Sequence, residues 1–284
     1  MDIKKIGVLG AGTMGAGIAQ VSVEAGFSVV LVDIDTVVLE RAIKGIDKAW
    51  KKAVDKGKLD EKGIQARKAL LKTGSDLGDF ADCEVVIEAI IEKIDIKKTV
   101  FKQLDEICPE NTILASNTSA LSITEIAAAT ARADKVVGMH FFNPVPVMKL
   151  VEVIPGAETT EDVSATIFDL CKKLGKEPVL AKEFPGFIVN RILVPYINEA
   201  AIAYQDGVAS AEEIDKAMKL GANMPIGPLA LCDMVGIDVL LMVCEYFWQE
   251  FGDSKYRPSL ALKQKVRAGH LGMKTGKGFY DYKK

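Results

Sequence analysis

The sequence predicts an α/β fold in which a doubly wound, mostly parallel sheet with a protruding helical pair precedes a smaller all-α domain. Short apolar runs alternate with longer amphipathic runs over the first part of the chain, and parallel strands need crossover helices of this kind. Beyond about residue 183 the strand pattern stops and helical periodicity continues. We therefore expect one domain over residues 1–183 and a second over residues 184–284. The junction, Glu-Phe-Pro-Gly-Phe at 183–187, has the composition of a hinge.

Each element of the first domain follows from its own pattern. Short, mostly apolar runs predict the strands, and apolar residues spaced three and four apart predict the helices. Ser122 and Glu125 form a capping-box pattern that opens a further, Ala-rich helix. The predicted strands are 6–9, 27–32, 85–90, 113–115, 136–140, 150–154 and 178–181, and the predicted long helices are 14–25, 37–56, 60–72 and 161–174.

The second domain shows helical patterns throughout. One helix is predicted over 187–205, and Pro195 inside it is expected to kink it. Ser210 and Glu213 form a second capping-box pattern at the start of another helix. Residues 236–251 carry apolar side chains three and four apart, which predicts a helix with a broad apolar face.

Composition and charge exclude several classes of protein. The chain has 284 residues, of which 49% are hydrophobic, so it can bury a large core. Its 36 Lys and Arg residues and 39 Asp and Glu residues give a formal net charge of −3, whereas broad binding to nucleic acid needs a basic surface. No apolar run approaches the roughly 20 residues of a membrane span, and the N-terminus lacks a signal-peptide pattern. We therefore expect neither a nucleic acid nor a membrane as a partner.

The cysteines and histidines form no metal-binding pattern. The cysteines are odd in number and widely spaced, and no C-x-x-C motif occurs, so we expect buried thiols in a reducing cytoplasm. With two histidines and no Cys/His cluster, we expect no metal site. The cysteines are Cys83, Cys108, Cys171, Cys232 and Cys244.

A glycine-rich loop joins the first predicted strand to the first predicted helix. Residues 10–15, Gly-Ala-Gly-Thr-Met-Gly, match G-x-G-x-x-G, the pattern of a Rossmann-type dinucleotide site. The first glycine permits a tight turn, the second lets a pyrophosphate approach the backbone, and the third lets the helix pack closely on the strand. The expected cofactor-binding residues of the loop are Gly10, Gly12, Thr13, Met14 and Gly15.

The charges after the second predicted strand favour NAD over NADP. Asp33 ends that strand, where a carboxylate binds the adenine-ribose hydroxyls and repels a 2′-phosphate. Asp35 adds a second negative charge, and no Arg or Lys occurs from 33 to 40. The alternative is a glycine-rich turn of another α/β protein with Asp33 as an ordinary loop carboxylate. The order of strand, loop, helix, strand and acid favours the dinucleotide site.

One histidine and one glutamate suggest acid–base chemistry. An NAD enzyme that oxidises an alcohol needs a base for the hydroxyl proton, and histidine suits this task. His140 ends an apolar strand, where ligands bind in open α/β sheets, whereas His270 lies in a loop-like tail. Glu152 lies inside the next apolar strand, so it is expected to pair with His140 if residues 141–148 fold back. The alternatives are a structural histidine and an edge-strand acid that faces water.

The segment from Met139 to Ile154 carries a resemblance to a known family. Its sequence, Met-His-Phe-Phe-Asn-Pro-Val-Pro-Val-Met-Lys-Leu-Val-Glu-Val-Ile, closely resembles the signature of the L-3-hydroxyacyl-CoA dehydrogenases, with His and Glu in register. The resemblance covers nearly the whole chain. The other segments that carry it are the Gly10 loop, Glu88–Glu92, Ser116–Ser119, Pro185–Arg191 and Lys274–Tyr280.

The resemblance implies a role for each matching residue. It implies that His140 is the general base and that Glu152 orients it. Ser119 and Asn190 resemble the polar residues that bond the reacting oxygen and position the substrate, and Ser119 is also a candidate cofactor contact. The matches to residues that touch the cofactor, mainly near its nicotinamide half, are Glu92, Lys97, Asn143 and Lys274. By residue type alone, Lys97 and Lys274 would be exposed surface lysines.

The predicted helix 37–56 carries lysines along one side. Lys44, Lys48, Lys52 and Lys56 recur every four residues. A CoA thioester carries a 3′-phosphate and a pyrophosphate that such a side suits, although a solvated charged face is an equally good explanation. The resemblance favours Lys56, and Lys52 after it, as contacts to an acyl-CoA substrate.

We therefore expect reversible NAD-dependent oxidation of an (S)-3-hydroxyacyl-CoA to a 3-oxoacyl-CoA, with a four-carbon acyl chain implied by the resemblance. The alternatives are a 6-phosphogluconate- or 3-hydroxyisobutyrate-type dehydrogenase, which resembles a lysine-based chemistry, and a non-catalytic NAD-binding relative. The helix 236–251, with Phe247, Trp248 and Phe251, is expected to bury part of its apolar face against a second subunit. The resemblance likewise implies a homodimer through the C-terminal helices.

Overall fold

The computed structural model describes residues 2–282, and the chain divides into two compact units, Met1–Phe184 and Pro185–Lys284. This division lies one residue beyond the boundary expected from the sequence. Within the described residues, every strand belongs to the first unit, and the second unit consists of helices and their connections.

One eight-stranded sheet forms the centre of the first unit. Its strands are β1 (Lys5–Leu9), β2 (Ser28–Val32), β3 (Leu71–Gly74), β4 (Val85–Glu88), β5 (Ile113–Ser116), β6 (Val136–Phe141), β7 (Leu150–Pro155) and β8 (Glu177–Leu180). They lie in the order β3-β2-β1-β4-β5-β6-β7-β8. Neighbouring strands are parallel except for β6 and β7, which are antiparallel. The predicted mostly parallel sheet is confirmed.

The helices of the first unit connect these strands. The described residues form α1 (Thr13–Glu24), α2 (Thr36–Asp55), α3 (Glu61–Leu70), α4 (Ile94–Ile107), α5 (Ile123–Ala127) and α6 (Glu161–Lys173). Short 3₁₀ turns lie at Leu77–Phe80 and Ala133–Lys135. Because β4 and β5 are buried along their whole length, helices must cover both faces of the sheet there.

The long helix α2 packs against the first unit along most of its length and is exposed at its C-terminal end. Its apolar residues Leu39, Ala42, Ile46 and Trp50 are spaced three and four apart, and all four are buried. The indole N–H of Trp50 donates to Glu24 of α1 over 2.9 Å. Beyond Trp50 the helix continues with lysine-rich sequence, so its last turn presents charge to solvent.

Two segments of the first unit differ from the prediction. The predicted helix 60–72 ends at Leu70, and Leu71–Gly74 forms the strand β3 because its extended backbone pairs with β2 at the edge of the sheet. The helix α4 was not predicted. Its core-facing positions include Lys97 next to Phe101 and Leu104, and a lysine among apolar residues hides the helical spacing.

The capping box expected at α5 forms only in part. The hydroxyl oxygen of Ser122 accepts the N–H of Glu125, as expected for an N-cap. The carboxylate of Glu125 binds Lys98 instead of the N-cap backbone, and the Ser122 hydroxyl donates to Glu183. The helix is therefore capped by one half of the predicted motif and by a carboxylate from the end of the unit.

The second unit is helical as predicted. Its described residues form α7 (Val189–Gln205), α8 (Ala211–Gly221), α9 (Pro228–Val235), α10 (Ile237–Phe251) and α11 (Leu260–Arg267), with 3₁₀ turns at Ser254–Tyr256 and Met273–Thr275. The capping box of Ser210 and Glu213 is complete. Pro195 lies inside α7. The short helices α9 and α11 were not predicted.

The C-terminal tail of the second unit is held by one buried carboxylate. Asp233, which is 1% exposed, accepts the N–H groups of Phe279 and Tyr280 and the hydroxyl of Tyr282. A Cβ at Gly278 would overlap this carboxylate. The Gly-Phe-Tyr sequence near the C-terminus therefore serves to lock the tail onto α9.

Candidate active site

The glycine-rich loop between β1 and α1 has the shape that a bound phosphate requires. Gly10 has a φ of +98°, a left-handed conformation that favours glycine. A Cβ at Gly15 would overlap the carbonyl group of Gly10, so only glycine lets α1 begin this close to the loop. Gly12 has a φ of −63°, and a Cβ there would meet no protein atom within 4 Å. The loop is thus open to a ligand at Gly12, where α1 begins without a side-chain cap.

Asp33 holds the loop as well as offering a carboxylate to a ligand. Its Oδ2 accepts the N–H of Ala11 over 2.7 Å and its Oδ1 accepts the N–H of Asp35 over 3.0 Å. Each carboxylate oxygen has a second lone pair, so ribose hydroxyls can still donate to this half-buried group. Asp35 has a different task, because it caps α2 by accepting the N–H of Val37. The sequence had not indicated that Asp33 braces the loop.

A cavity of about 410 Å³ lies beside the loop. Gly12 and Thr13 line it, together with Arg41 of α2 and Asn143 of the segment after β6. Backbone N–H groups, a guanidinium and a carboxamide suit the phosphate and amide groups of a dinucleotide. The residues of this unit therefore fit NAD, and the expected cofactor residue Asn143 lines the same cavity as the loop.

The antiparallel pair β6–β7 places His140 directly opposite Glu152. Nδ1 of His140 lies 2.7 Å from Oε2 of Glu152, and the two side chains are 6% and 0% exposed. The predicted contact between imidazole and carboxylate is present. Glu152 is not an edge-strand acid facing water, because β8 pairs with the other side of β7. Since the carboxylate accepts the Nδ1 hydrogen, Nε2 is the acceptor nitrogen of the neutral ring.

The segment after β5 is bound to Glu92. The Oε1 atom of Glu92 accepts the hydroxyl of Thr118 over 2.6 Å, the N–H of Ser119 over 2.8 Å and the hydroxyl of Ser119 over 3.1 Å. Asn117 is bound to β6, since its Oδ1 accepts the N–H of Phe141, the residue after His140. Hydrogen bonds therefore fix the Ser119 segment relative to the strand that carries His140.

The two candidate cofactor lysines differ in their surroundings. Lys97 is not an exposed surface lysine, as its residue type had suggested, because its side chain is 1% exposed and its ammonium lies between Glu88 and Glu92. Lys274 is exposed, and its Nζ lies 2.6 Å from Oδ1 of Asp238 within the second unit. Glu88 was missed by sequence reasoning, and the signal that could have found it is a lone carboxylate at the end of a fully apolar strand.

The second unit positions Asn190 at the start of α7. Asn190 is the second residue of that helix and is half-buried. The guanidinium of the next residue, Arg191, lies 4.0 Å from the ring centre of Phe251 and 4.6 Å from that of Tyr256. Contacts of this kind between a cation and aromatic rings are favourable, so they hold the first turn of α7 in place.

The lysines of α2 are exposed as a solvated face would be. Lys52 lies in the last turn of α2 and Lys56 caps its end, and both are exposed. An open cavity of about 640 Å³ is lined by α2 alone, with four lysines and two carboxylates: Lys44, Asp47, Lys48, Lys51, Lys52 and Asp55. The exposure and spacing suit a phosphate-bearing ligand equally well.

The aromatic residues of α10 that were expected to contact a second subunit differ in how deeply they are buried. Phe247 is 0% exposed and packs inside the second unit, where its ring centre lies 5.8 Å from that of Tyr256. Phe251 also packs on Tyr256, with a centre separation of 4.8 Å. Phe247 is therefore a core residue and is not available to a second subunit, whereas Phe251 is half-buried against that core. Trp248 remains 43% exposed.

The thiols of the described residues are free and buried, as predicted. Burial raises the pKa of Cys108 to about 11 and that of Cys171 to about 12. Within residues 2–282 no group of three or more His, Cys, Asp or Glu side chains is arranged to hold a metal ion. No helix in that range is long and apolar enough to cross a membrane.

Two family models match the chain end to end. The NAD binding domain of 3-hydroxyacyl-CoA dehydrogenase matches residues 5–184, and the C-terminal domain of the same family matches residues 186–282. The first match contains the phosphate loop and the buried His–Glu pair described above, and the second covers the helical unit.

Relatives with known names and structures are similar over the same range. A 3-hydroxybutyryl-CoA dehydrogenase of Clostridioides difficile is 51% identical over 284 residues, which covers 99% of this chain and 100% of the relative. The human mitochondrial hydroxyacyl-coenzyme A dehydrogenase is 44% identical and covers 99% of this chain and 92% of its own. The crystal structure of an (S)-3-hydroxybutyryl-CoA dehydrogenase from Ralstonia eutropha superimposes with a TM-score of 0.96 at 48% identity, covering 100% of both chains. The chain belongs to the 3-hydroxyacyl-CoA dehydrogenase family.

Proposed function

We propose that this protein catalyses the reversible NAD-dependent oxidation of (S)-3-hydroxybutyryl-CoA to acetoacetyl-CoA. The observation that carries the proposal is the buried pair of His140 and Glu152, with 2.7 Å between Nδ1 and Oε2, in the same unit as an open phosphate loop. The names of the relatives support the four-carbon substrate.

His140 and Glu152 manage the proton of the substrate hydroxyl. NAD, when bound, supplies the acceptor for the hydride that leaves C3 of the substrate. Nε2 of His140 takes the hydroxyl proton, and the carboxylate on Nδ1 stabilises the imidazolium that forms. In the reducing direction the imidazolium returns this proton to the forming alkoxide. General acid–base catalysis of this kind typically contributes about 10²–10⁴-fold to the rate.

Other residues bind and orient the two reactants. Ser119 and Asn190 are proposed to bond the reacting oxygen and position the substrate, with Ser119 also next to the cofactor. Lys52 and Lys56 are proposed to bind the phosphates of CoA, supported by their exposure at the end of α2. The residues proposed to bind NAD are Gly10, Gly12, Thr13, Met14, Gly15, Asp33, Glu92, Lys97, Asn143 and Lys274.

We further propose a cytoplasmic homodimer that forms through the C-terminal helices. The free thiols of the described residues suit a reducing compartment. Apolar side chains on the second unit remain exposed, namely Ile192, Val235, Val239, Met242 and Trp248. Sedimentation at micromolar concentration is expected to give a dimer, and a stable monomer would contradict this part of the proposal.

A steady-state assay with several substrates tests the function. We expect NADH oxidation with acetoacetyl-CoA, slower turnover with NADPH, and no reaction of NAD with free 3-hydroxyisobutyrate or 6-phosphogluconate. Turnover of either free acid without turnover of acetoacetyl-CoA would support the lysine-based class of dehydrogenase. Tight NADH binding with no turnover of any acyl-CoA would identify a non-catalytic relative.

A further inference from the structure

Three ionisable side chains meet where β4 ends. Nζ of Lys97 lies 2.6 Å from Oε1 of Glu88 and 3.3 Å from Oε2 of Glu92. The side chains of Glu88 and Lys97 are 0% and 1% exposed, and that of Glu92 is 22% exposed. The cluster thus runs from the core of the unit, at Glu88, to a partly open carboxylate, at Glu92.

Every oxygen of the Glu88 carboxylate has a partner. Its Oε1 accepts the N–H of Ile90 over 2.7 Å besides the ammonium of Lys97, and its Oε2 accepts the hydroxyl of Ser116 over 2.7 Å. Burying charges costs more than packing apolar side chains of similar volume, so a buried ion pair is weak evidence for a stabilising role. We therefore look to the contacts of these charged groups, and not to stability, for the function of the cluster.

The open end of the cluster contacts the segment that carries Ser119. Glu92 binds Ser119 through both its N–H and its hydroxyl, and the hydroxyl bond, at 3.1 Å, is the longest of the three on Oε1. A hydroxyl has one hydrogen, so Ser119 must give up this bond in order to donate to the reacting oxygen. Glu92 then keeps its contacts to the N–H of Ser119, the hydroxyl of Thr118 and the ammonium of Lys97. These three contacts hold its carboxylate in place.

A second set of contacts links Glu88 to the same segment. The Ser116 hydroxyl that donates to Glu88 also accepts the N–H of Thr118 over 3.2 Å. The backbone N–H of Asn117 donates to the carbonyl of Glu88 over 2.8 Å. Glu88 is therefore connected to Ser116–Ser119 on both sides, once directly and once through Lys97 and Glu92.

We propose that Glu88 is a positioning residue for the reaction, which fixes Lys97 so that Glu92 holds the Ser119 backbone while its hydroxyl is released to the substrate. Lys97 is then a positioning residue as well as the candidate cofactor contact that the family resemblance implied, since its ammonium binds both carboxylates. This inference rests on the proposed function and assigns a residue that the sequence analysis did not single out.

A mutant cycle between Glu88 and Ser119 tests the proposal. Glu88→Gln keeps the shape of the side chain but removes its charge, and displacement of reacting groups by about 1 Å can cost up to about 100-fold in rate. We expect kcat for acetoacetyl-CoA reduction to fall between about 10-fold and about 100-fold. KM for acetoacetyl-CoA is expected to change less than about 3-fold, because the binding contacts remain. In the Ser119→Ala background, Glu88→Gln should cost less than about 2-fold, because the two residues act as one unit.

The control is a buried polar residue just before β5 whose side chain makes no contact with the Glu88–Lys97–Glu92 cluster or with Ser119. Thr112 is 1% exposed and donates to the carbonyl of Cys83, so Thr112→Val should lower the melting temperature but leave kcat unchanged. Equal losses of kcat from Glu88→Gln in the presence and absence of the Ser119 hydroxyl would overturn the proposal, because a general structural defect acts in both.

Two further outcomes are also decisive. Should Glu88→Gln fail to fold, Ser116→Ala removes only one hydroxyl from the cluster, and we expect a loss of kcat that again disappears in the Ser119→Ala background. Unchanged kcat in Ser116→Ala would then contradict the proposal. A wild-type protein without acyl-CoA turnover would overturn the proposed function and this inference together, whereas an active wild type with additive losses overturns this inference alone.

Discussion

Glu152 lies directly opposite His140 across the antiparallel strands β6 and β7, with its Oε2 atom 2.7 Å from Nδ1 of the imidazole. The turn between the two strands reverses the chain, so that Glu152 reaches the strand end where His140 lies. Because Glu152 is 0% exposed, water does not compete for the contact. The pair is thus a base whose tautomer and orientation are set by the sheet.

Replacing the carboxylate of Glu152 should lower kcat without changing the affinity for the cofactor. In Glu152→Gln the amide NH₂ can donate to Nδ1, which favours the tautomer that carries its hydrogen on Nε2. A protonated Nε2 cannot take the proton of the substrate hydroxyl. We expect kcat to fall by about 10²-fold or more. Stopped-flow reduction of acetoacetyl-CoA measures the loss, and NADH fluorescence titration should give an unchanged Kd. A kcat within about 3-fold of the wild type would show that Glu152 does not orient the base.

Alanine variants of Asp33 and of Asp35 should differ in which property they change, cofactor selection or the stability of α2. Asp33→Ala removes acceptors for the ribose and for the N–H of Ala11, so we expect the Kd for NADH to rise about 10-fold or more and the preference over NADPH to shrink. Asp35→Ala removes the N-cap of α2 and should cost about 1 kcal/mol of stability, while the NADH preference shrinks less than in Asp33→Ala. Titration with both cofactors, together with thermal unfolding, distinguishes the variants. Unaltered selectivity in Asp33→Ala would contradict the proposed role.

Two glycines of the loop offer a matched pair. Gly12 has an ordinary φ and open space around its Cβ direction, so Gly12→Ala should fold with near-normal stability but bind NADH at least about 10-fold more weakly. Gly15→Ala would overlap the Gly10 carbonyl and should cost about 2 kcal/mol or more of stability. Urea unfolding and NADH titration of each variant check the pair. Full NADH affinity in Gly12→Ala would exclude close approach of a phosphate at that residue.

The buried cysteines should be unreactive in the folded protein. Burial raises the pKa of Cys108 from 9.0 to about 11, so its thiolate is scarce when folded at pH 8 to 9. Ionisation therefore favours the unfolded chain: the contribution of the thiol to stability is complete below pH 9 and is lost as pH rises towards 11. Ellman's reagent at pH 8 should label the native protein far more slowly than the denatured protein. Rapid native labelling would contradict the burial.

The pairing of His140 with Glu152 could be predicted from sequence because each residue broke an otherwise apolar strand. A polar side chain in such a run must find a partner, and the two strands are adjacent in the chain. The phosphate loop could also be predicted from sequence, since its glycines and Asp33 occur in a fixed order along one strand–helix–strand unit.

The Glu88–Lys97–Glu92 cluster could not be predicted in the same way. Lys97 lies at a core-facing position of α4, and its charge concealed both the helix and its own burial. The strand β3 was missed because it lies at the sheet edge, where two of its four residues are exposed and two are half-buried, so the sequence shows no alternation. Sequence patterns show which surfaces must be covered, whereas the partners of buried charges depend on contacts between distant segments.

The most direct test of the account is the turnover of His140→Ala with acetoacetyl-CoA and NADH, measured together with NADH affinity. We expect kcat to fall by about 10²–10⁴-fold while the Kd for NADH stays within about 2-fold of the wild-type value, because the base acts on the proton and not on the cofactor. An undiminished kcat would contradict the account, since no proton acceptor would then be needed at that position.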